Sequence, residues 1–214
     1  MRLAICRFDE QGVEQAMKYL SLAGLSDMEC KRLDGIRNPS ARAASVAARV
    51  ALLWALTEGD GQVSVHDLGE IPPIKGQPLS LFRRTETGPS LVGSDMTVSL
   101  AHSDRIAVCA VTEAGRIGVD VEPLNRHLMH ADSIAKHYFS EGERSLLDGA
   151  PDRHAAFLRI WTRKEALGKA LGTGLQNSSL ALDTAAQPEE RFVEHTVEGT
   201  LISVFSAPEK AGGI

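Results

Sequence analysis

At 214 residues, 43% hydrophobic and 24% charged, the chain has the make-up of a soluble globular protein, long enough for one large domain or two small fused ones. A net charge of −5 argues against general nucleic-acid binding, and no apolar run reaches the length of a membrane span or a signal-peptide core. Cys6, Cys30 and Cys109 are odd in number and widely spaced, which fits neither a zinc pattern nor a disulfide framework and points to a reducing, cytoplasmic setting.

In chain order, "RLAICRF" predicts a short half-buried strand. Between residues 31 and 49, Lys31, Arg32, Arg37, Arg42 and Arg49 are set against one acid, Asp34. That local basic stretch suits a small polyanion or an acidic protein partner, or else is an ordinary solvated face. "NPSARAASVAARVALLWALTEG" is the clearest helix: Asn38 caps it, Pro39 fits the first turn and Gly59 closes it. Val46, Val50, Leu53 and Trp54 give it an apolar face, and Arg42, Ser45 and Arg49 share another. "QVSVHDL" is a strand, "IPPIKGQPL" a loop, and residues 83–96 are expected to be irregular and mobile. "TVSLAHS", "RIAVCAVT" and "RIGVDVE" are three strands joined by turn signals. "RHLMHADSIAKHYFSEGERSLLDG" is helical, with Ser140 and Glu143 in capping-box spacing for a second helix after Phe139. A long helix runs from Asp152 to about Leu171 and ends at "GTG", and the strands "RFVEHTV" and "LISVFSA" follow. Helices and strands are grouped more than alternated, so the expected class is α+β.

The strand period of two puts Asp120 and Glu122 on one face of "RIGVDVE" and Val119 and Val121 on the other, toward the core. Adjacent carboxylates repel unless a cation lies between them, and an oxygen-only donor set favours Mg²⁺ or Mn²⁺ over zinc. Gly118 shares their face and is expected to leave room for a ligand. A D-x-E strand is also compatible with a plain solvated edge. On the long helix, Trp161, Glu165 and Lys169 stack on one face at spacings of four. Glu165 and Lys169 can be a simple i,i+4 pair worth roughly 0.2–0.5 kcal/mol. Alternatively, Glu165 supplies a third carboxylate beside a phosphate clamp formed by Lys164 and Lys169. His102, at a strand end, is either a surface histidine or a phosphate donor. Lys75 in "KGQPL" is either a plain loop lysine or part of a ligand site.

"GVDVE", then "IAKHYFSEGE", then "WTRKEALGKALGTGL" resemble the 4′-phosphopantetheinyl transferases, specifically the larger surfactin-synthetase-activating type. Upstream, "KGQPL" and "SLAHSDRIAVCAV" are similar to that family's Gly-x-Pro and Ser-His-Ser blocks, so the likeness covers about residues 30–175. The resemblance implies two related α+β halves about a pseudo-twofold axis, residues 1–112 and 113–214, with coenzyme A between them. It also implies a monomer, in contrast to the trimeric holo-acyl-carrier-protein synthases. The implied metal ligands are Asp120, Glu122 and Glu165, with Glu165 also the candidate base and Lys169 a diphosphate contact. His102 would bind a phosphate of coenzyme A, and Ser45 lies near the adenine-contacting position. Lys31, Arg32, Arg42 and Arg49 are candidates for the 3′-phosphate. Two positions depart from the pattern. Gln77 stands where the family has lysine, so that either Lys75 substitutes from two positions earlier or the charge is missing, and Ala101 replaces the first serine of Ser-His-Ser.

The implied reaction moves the phosphopantetheine arm of coenzyme A to a serine of an apo acyl or peptidyl carrier protein, with Mg²⁺ and release of adenosine 3′,5′-bisphosphate. Two rivals are a Mg²⁺-dependent phosphohydrolase acting on a coenzyme A-like diphosphate and a non-catalytic coenzyme A or carrier-binding module. Neither a membrane nor a nucleic acid is expected as a partner.

Overall fold

A computed structural model describes residues 1–59, 61–85, 88–173 and 182–208 of the chain. The chain divides into two units, Met1–Gly115 and Arg116–Ile214, and the break falls at a turn where Gly115 takes a left-handed φ of 82°. Helices and strands segregate within each unit, and the class is α+β.

The first unit runs β1 (Arg2–Arg7), α1 (Val13–Leu22), α2 (Asp27–Asp34), α3 (Pro39–Thr57), β2 (Val63–Asp67), β3 (Phe82–Thr85), β4 (Gly88–Leu91), β5 (Thr97–Ser103) and β6 (Ile106–Thr112). Its main sheet has the order β2-β1-β6-β5, parallel between β1 and β2 and antiparallel elsewhere. Helix α3 starts as its sequence dictates. The Asn38 side chain accepts from the backbone N–H of Ala41 at 2.9 Å, and Pro39 occupies the first turn, where its missing N–H costs nothing. Its Val46, Val50 and Leu53 join Ala4, Cys6, Ala107 and Cys109 in the core.

Two expectations change here. Helix α3 is buried on almost every side, Arg49 included, because α1 and α2, neither anticipated from the sequence, share its core. Residues 83–96 are not irregular throughout. Most of Phe82–Leu91 forms a β3–β4 hairpin in which Phe82 pairs with Leu91 and is fully buried; positions 86 and 87 lie outside the described residues.

The second unit runs β7 (Arg116–Pro123), α4 (Ala131–Tyr138), α5 (Glu141–Asp148), α6 (Arg153–Leu171), β8 (Phe192–Val197) and β9 (Thr200–Ala207), with sheet order β7-β9-β8. Glu198 (φ 48°) and Gly199 (φ 73°) make the tight left-handed turn that joins β8 to β9. Helix α4 begins five residues later than the sequence pattern suggests, after His130 with its left-handed φ of 64°. The capping box on α5 is formed in both directions, and Glu143 is its acidic member. Helix α6 is capped by Asp152 and ends on Gly172 in the left-handed conformation; Gly174 and Leu175 of the motif lie outside the described residues. Among the described residues no helix is long and apolar enough to cross a membrane.

Candidate active site

Strand β7 and helix α6 meet at Gly118. A Cβ built there would lie 1.9 Å from the carbonyl oxygen of Ala166 and 2.6 Å from the amide nitrogen of Ala170, so only glycine lets the helix backbone come this close. The space expected for a ligand beside Gly118 is therefore filled by the helix itself. The close approach runs strand and helix side by side in opposite directions. Asp120 and Glu122, two and four residues along the strand, then come under the face that carries Lys169, Glu165 and Trp161.

The contacts follow that geometry. Lys169 Nζ donates to Asp120 Oδ1 at 2.7 Å and to the Val119 carbonyl at 3.0 Å. Arg126, in the turn after β7, forms an ion pair with Glu122, and the Trp161 side chain favours the charged form of Glu122. The helix lysine thus crosses to the strand, and a simple i,i+4 pair within α6 is not what engages it. Asp120 and Glu122 are 8% and 7% exposed, so the D-x-E strand is no solvated edge. Asp120 Oδ2 is buried and accepts no hydrogen bond from the described residues. An orphaned carboxylate oxygen of this kind is costly unless a further cation or donor reaches it.

Burial raises the pKa of Asp120 and of Glu122, opposed by Lys169 and Arg126 respectively. Glu165, half-buried, is pushed up to about 7, first by desolvation and then by the charge of Asp120, with Glu122 adding to it. Three carboxylates are thus close enough to perturb one another. Among the described residues, no three His, Cys, Asp or Glu side chains converge tightly enough to hold a metal as they stand. Two of the three acids are instead held by protein cations. The donor set still fits a hard divalent cation: it is all carboxylate, it is short of positive charge, and one of its oxygens is buried without a partner.

Two assignments made from the sequence are corrected. Lys164 is fully buried and donates to both carboxylate oxygens of Glu143, at 3.0 and 2.7 Å, and to the Leu182 carbonyl. Glu143 also accepts from the backbone N–H and hydroxyl of Thr184. The pair fastens α5, α6 and residues 182–184 together, and Lys164 is not a phosphate clamp. It faces inward because neighbouring helix positions are about 100° apart, so Glu165 and Lys164 cannot share a face. Arg49 is only 3% exposed; it pairs with Glu29 and lies 5.3 Å over the Phe82 ring, which withdraws it from any surface phosphate site. Burial depresses its pKa to about 10, with Glu29 opposing.

The other candidates lie in the first unit. Arg32 pairs with Glu29, and Arg42 pairs with Glu14 and Asp34. Ser45 is half-buried on α3, and Lys31, Lys75 and His102 are exposed. Gln77 packs against the open Cα of Gly24, where a Cβ would meet its own at 2.7 Å. Arg126, which holds Glu122, carries no signal in the sequence, because the i+4 rule applies to helices and Arg126 lies in a turn.

Residues 116–207 match the 4′-phosphopantetheinyl transferase superfamily. The chain is 37% identical over 103 residues to the 4′-phosphopantetheinyl transferase HetI of Nostoc sp. (strain PCC 7120), covering 47% of this chain and 40% of HetI. It is 32% identical over 97 residues to the 4′-phosphopantetheinyl transferase gsp of Aneurinibacillus migulanus, 44% of this chain and 39% of that protein. An L-aminoadipate-semialdehyde dehydrogenase-phosphopantetheinyl transferase of Eremothecium gossypii is 35% identical over 127 residues, 54% of this chain and 46% of the relative. The matched stretch spans less than half the length of each of these curated relatives.

Proposed function

We propose, from the match of residues 116–207 to the 4′-phosphopantetheinyl transferase superfamily, that the chain belongs to that superfamily and transfers the 4′-phosphopantetheine group of coenzyme A to a serine of an apo acyl or peptidyl carrier protein. The observation that carries the proposal is the gathering of Asp120, Glu122, Glu165 and Lys169 on facing sides of β7 and α6, inside the matched segment. The carrier's serine oxygen attacks the phosphorus that bears the pantetheine arm. The bond from that phosphorus to the bridging oxygen breaks, and adenosine 3′,5′-bisphosphate leaves.

A serine hydroxyl needs its proton removed as it attacks, and a base is most effective with a pKa near the working pH. Glu165, at about 7, fits that requirement and is the proposed proton acceptor, directly or through water. Lys169, fixed at two points on β7, offers its remaining N–H to the diphosphate, where negative charge develops. Asp120, Glu122 and Glu165 are the proposed ligands of Mg²⁺ or Mn²⁺, with the orphaned Asp120 Oδ2 the first candidate donor. The ion, when bound, would supply electrostatic neutralisation of phosphate oxygens. Lys31, Arg32, Arg42, Ser45, Lys75 and His102 are kept as proposed contacts to the phosphates and adenine of coenzyme A. We propose a cytoplasmic monomer without a membrane or nucleic-acid partner.

The test is intact-mass measurement on a panel of apo-carriers incubated with the full-length protein, coenzyme A and Mg²⁺. One added phosphopantetheine per carrier is expected. Splitting of coenzyme A with no carrier present would instead establish a phosphohydrolase, and an unchanged carrier despite binding would establish a non-catalytic module.

A further inference from the structure

We infer that Arg126 is a built-in counter-ion of the carboxylate cluster, occupying Glu122 in competition with the divalent cation and so setting the affinity for that cation. The inference rests on the metal site proposed above and assigns a role to a residue outside its ligand set.

Glu122 is almost fully buried, and Arg126 is the cation paired with it. Without Arg126 the carboxylate would be a buried anion lacking a cation, which is strongly destabilising. Arg126 therefore stands toward Glu122 as a bound cation would.

The two protein cations at the cluster differ in how they are held. Lys169 is tied to the Val119 carbonyl as well as to Asp120, and it projects from the rigid frame of α6. Arg126 projects from a turn, where its backbone N–H donates to the Pro123 carbonyl at 3.0 Å, and its side chain is 46% exposed. A guanidinium already half in water gives up little on leaving Glu122. Beside a divalent ion it would also suffer like-charge repulsion. Of the two, Arg126 is the one built to leave. Its presence stabilises the metal-free protein, and its displacement is work that the incoming ion must do.

The test uses the full-length protein. Free Mn²⁺ is followed by electron paramagnetic resonance and Mg²⁺ binding by calorimetry, each with and without coenzyme A and against protein-free controls. Arg126→Ala and Arg126→Gln should bind Mn²⁺ on the order of tenfold more tightly than wild type. Both should melt lower than wild type without metal and rise further on adding it. Arg126→Lys, which keeps the competing charge, should stay within about threefold of wild-type affinity. Equal or weaker metal binding by Ala and Gln variants, when wild type binds and Glu122→Gln does not, overturns the role of Arg126 and leaves the metal site standing. If wild type binds neither ion under any of these conditions, the metal site itself is overturned, and this inference with it.

Discussion

Replacing Gly118 by alanine tests how the site is assembled. The added methyl would sit 1.9 Å from the Ala166 oxygen, 2.9 Å from the Ala166 carbonyl carbon and 2.6 Å from the Ala170 nitrogen, all of them backbone. Real Cβ atoms do not approach closer than 3.0 Å, so strand and helix must separate by about 1.1 Å at this point. No side chain can rotate away to relieve the overlap. Overpacking of a core typically costs about 1–3 kcal/mol, and a backbone-to-backbone clash belongs at or above the upper end. Lys169 lies one residue from Ala170 on the same helix, so the separation also pulls its amine from Asp120. A misplacement of about 1 Å can lower a rate by roughly a hundredfold. Urea unfolding and intact-mass transfer assays should therefore both fall, with transfer impaired even where Gly118→Ala remains fully folded. An unchanged unfolding midpoint with unchanged transfer would refute the claim that glycine fixes the strand–helix spacing.

Asp120→Asn and Glu165→Gln should each retain native circular dichroism while losing on the order of 100-fold or more in transfer, measured at saturating Mg²⁺; near-normal turnover in either would exclude the proposed roles. Lys164→Met should lose about 3–5 kcal/mol of stability in denaturant titrations, because Glu143 is left as a buried, unpaired charge. Pairing it with Glu143→Leu should recover part of that loss, whereas impaired transfer at wild-type stability would restore Lys164 to phosphate binding. Glu165 has a folded-state pKa above its ordinary value near 4.5, so its contribution to stability is fully present below about pH 4.5 and is lost as pH rises through about 7. The metal-free melting temperature of wild type should accordingly fall more between pH 5 and pH 8, relative to Glu165→Gln, and a parallel pair of curves would contradict this.

The second unit was largely legible because its chemistry and its fold share one period. Alternation along "GVDVE" and the four-residue spacing of Trp161, Glu165 and Lys169 each define a face, and those faces meet. Lys164 marks where that legibility ends. Proximity in sequence to Glu165 says nothing about a position rotated by about 100° on the helix, and Glu143 awaits it on the other side. In the first unit, Arg49 reads as a surface cation only while α1 and α2, which share the core of α3, are left out of account. The signal for α1 was present: Val13, Ala16, Met17 and Leu20 are buried at i, i+3, i+4 and i+7. Helix α2 carries the Ser26–Glu29 spacing of a capping box, but it is only eight residues long and mostly polar, and Leu33 as its one buried apolar residue leaves no periodic face to read.

The pairing of Arg32 and Arg49 with Glu29, and of Arg42 with Glu14 and Asp34, has a consequence for how this stretch behaves in electrolyte. Most of the cationic character that stands out between residues 31 and 49 is matched by anions within ion-pair distance, so the far field is much weaker than the local sequence suggests. Adding salt to a ligand-capture experiment should then slow encounter with this surface only modestly. An approaching nucleotide would be attracted chiefly once it is near enough to exchange places with a carboxylate.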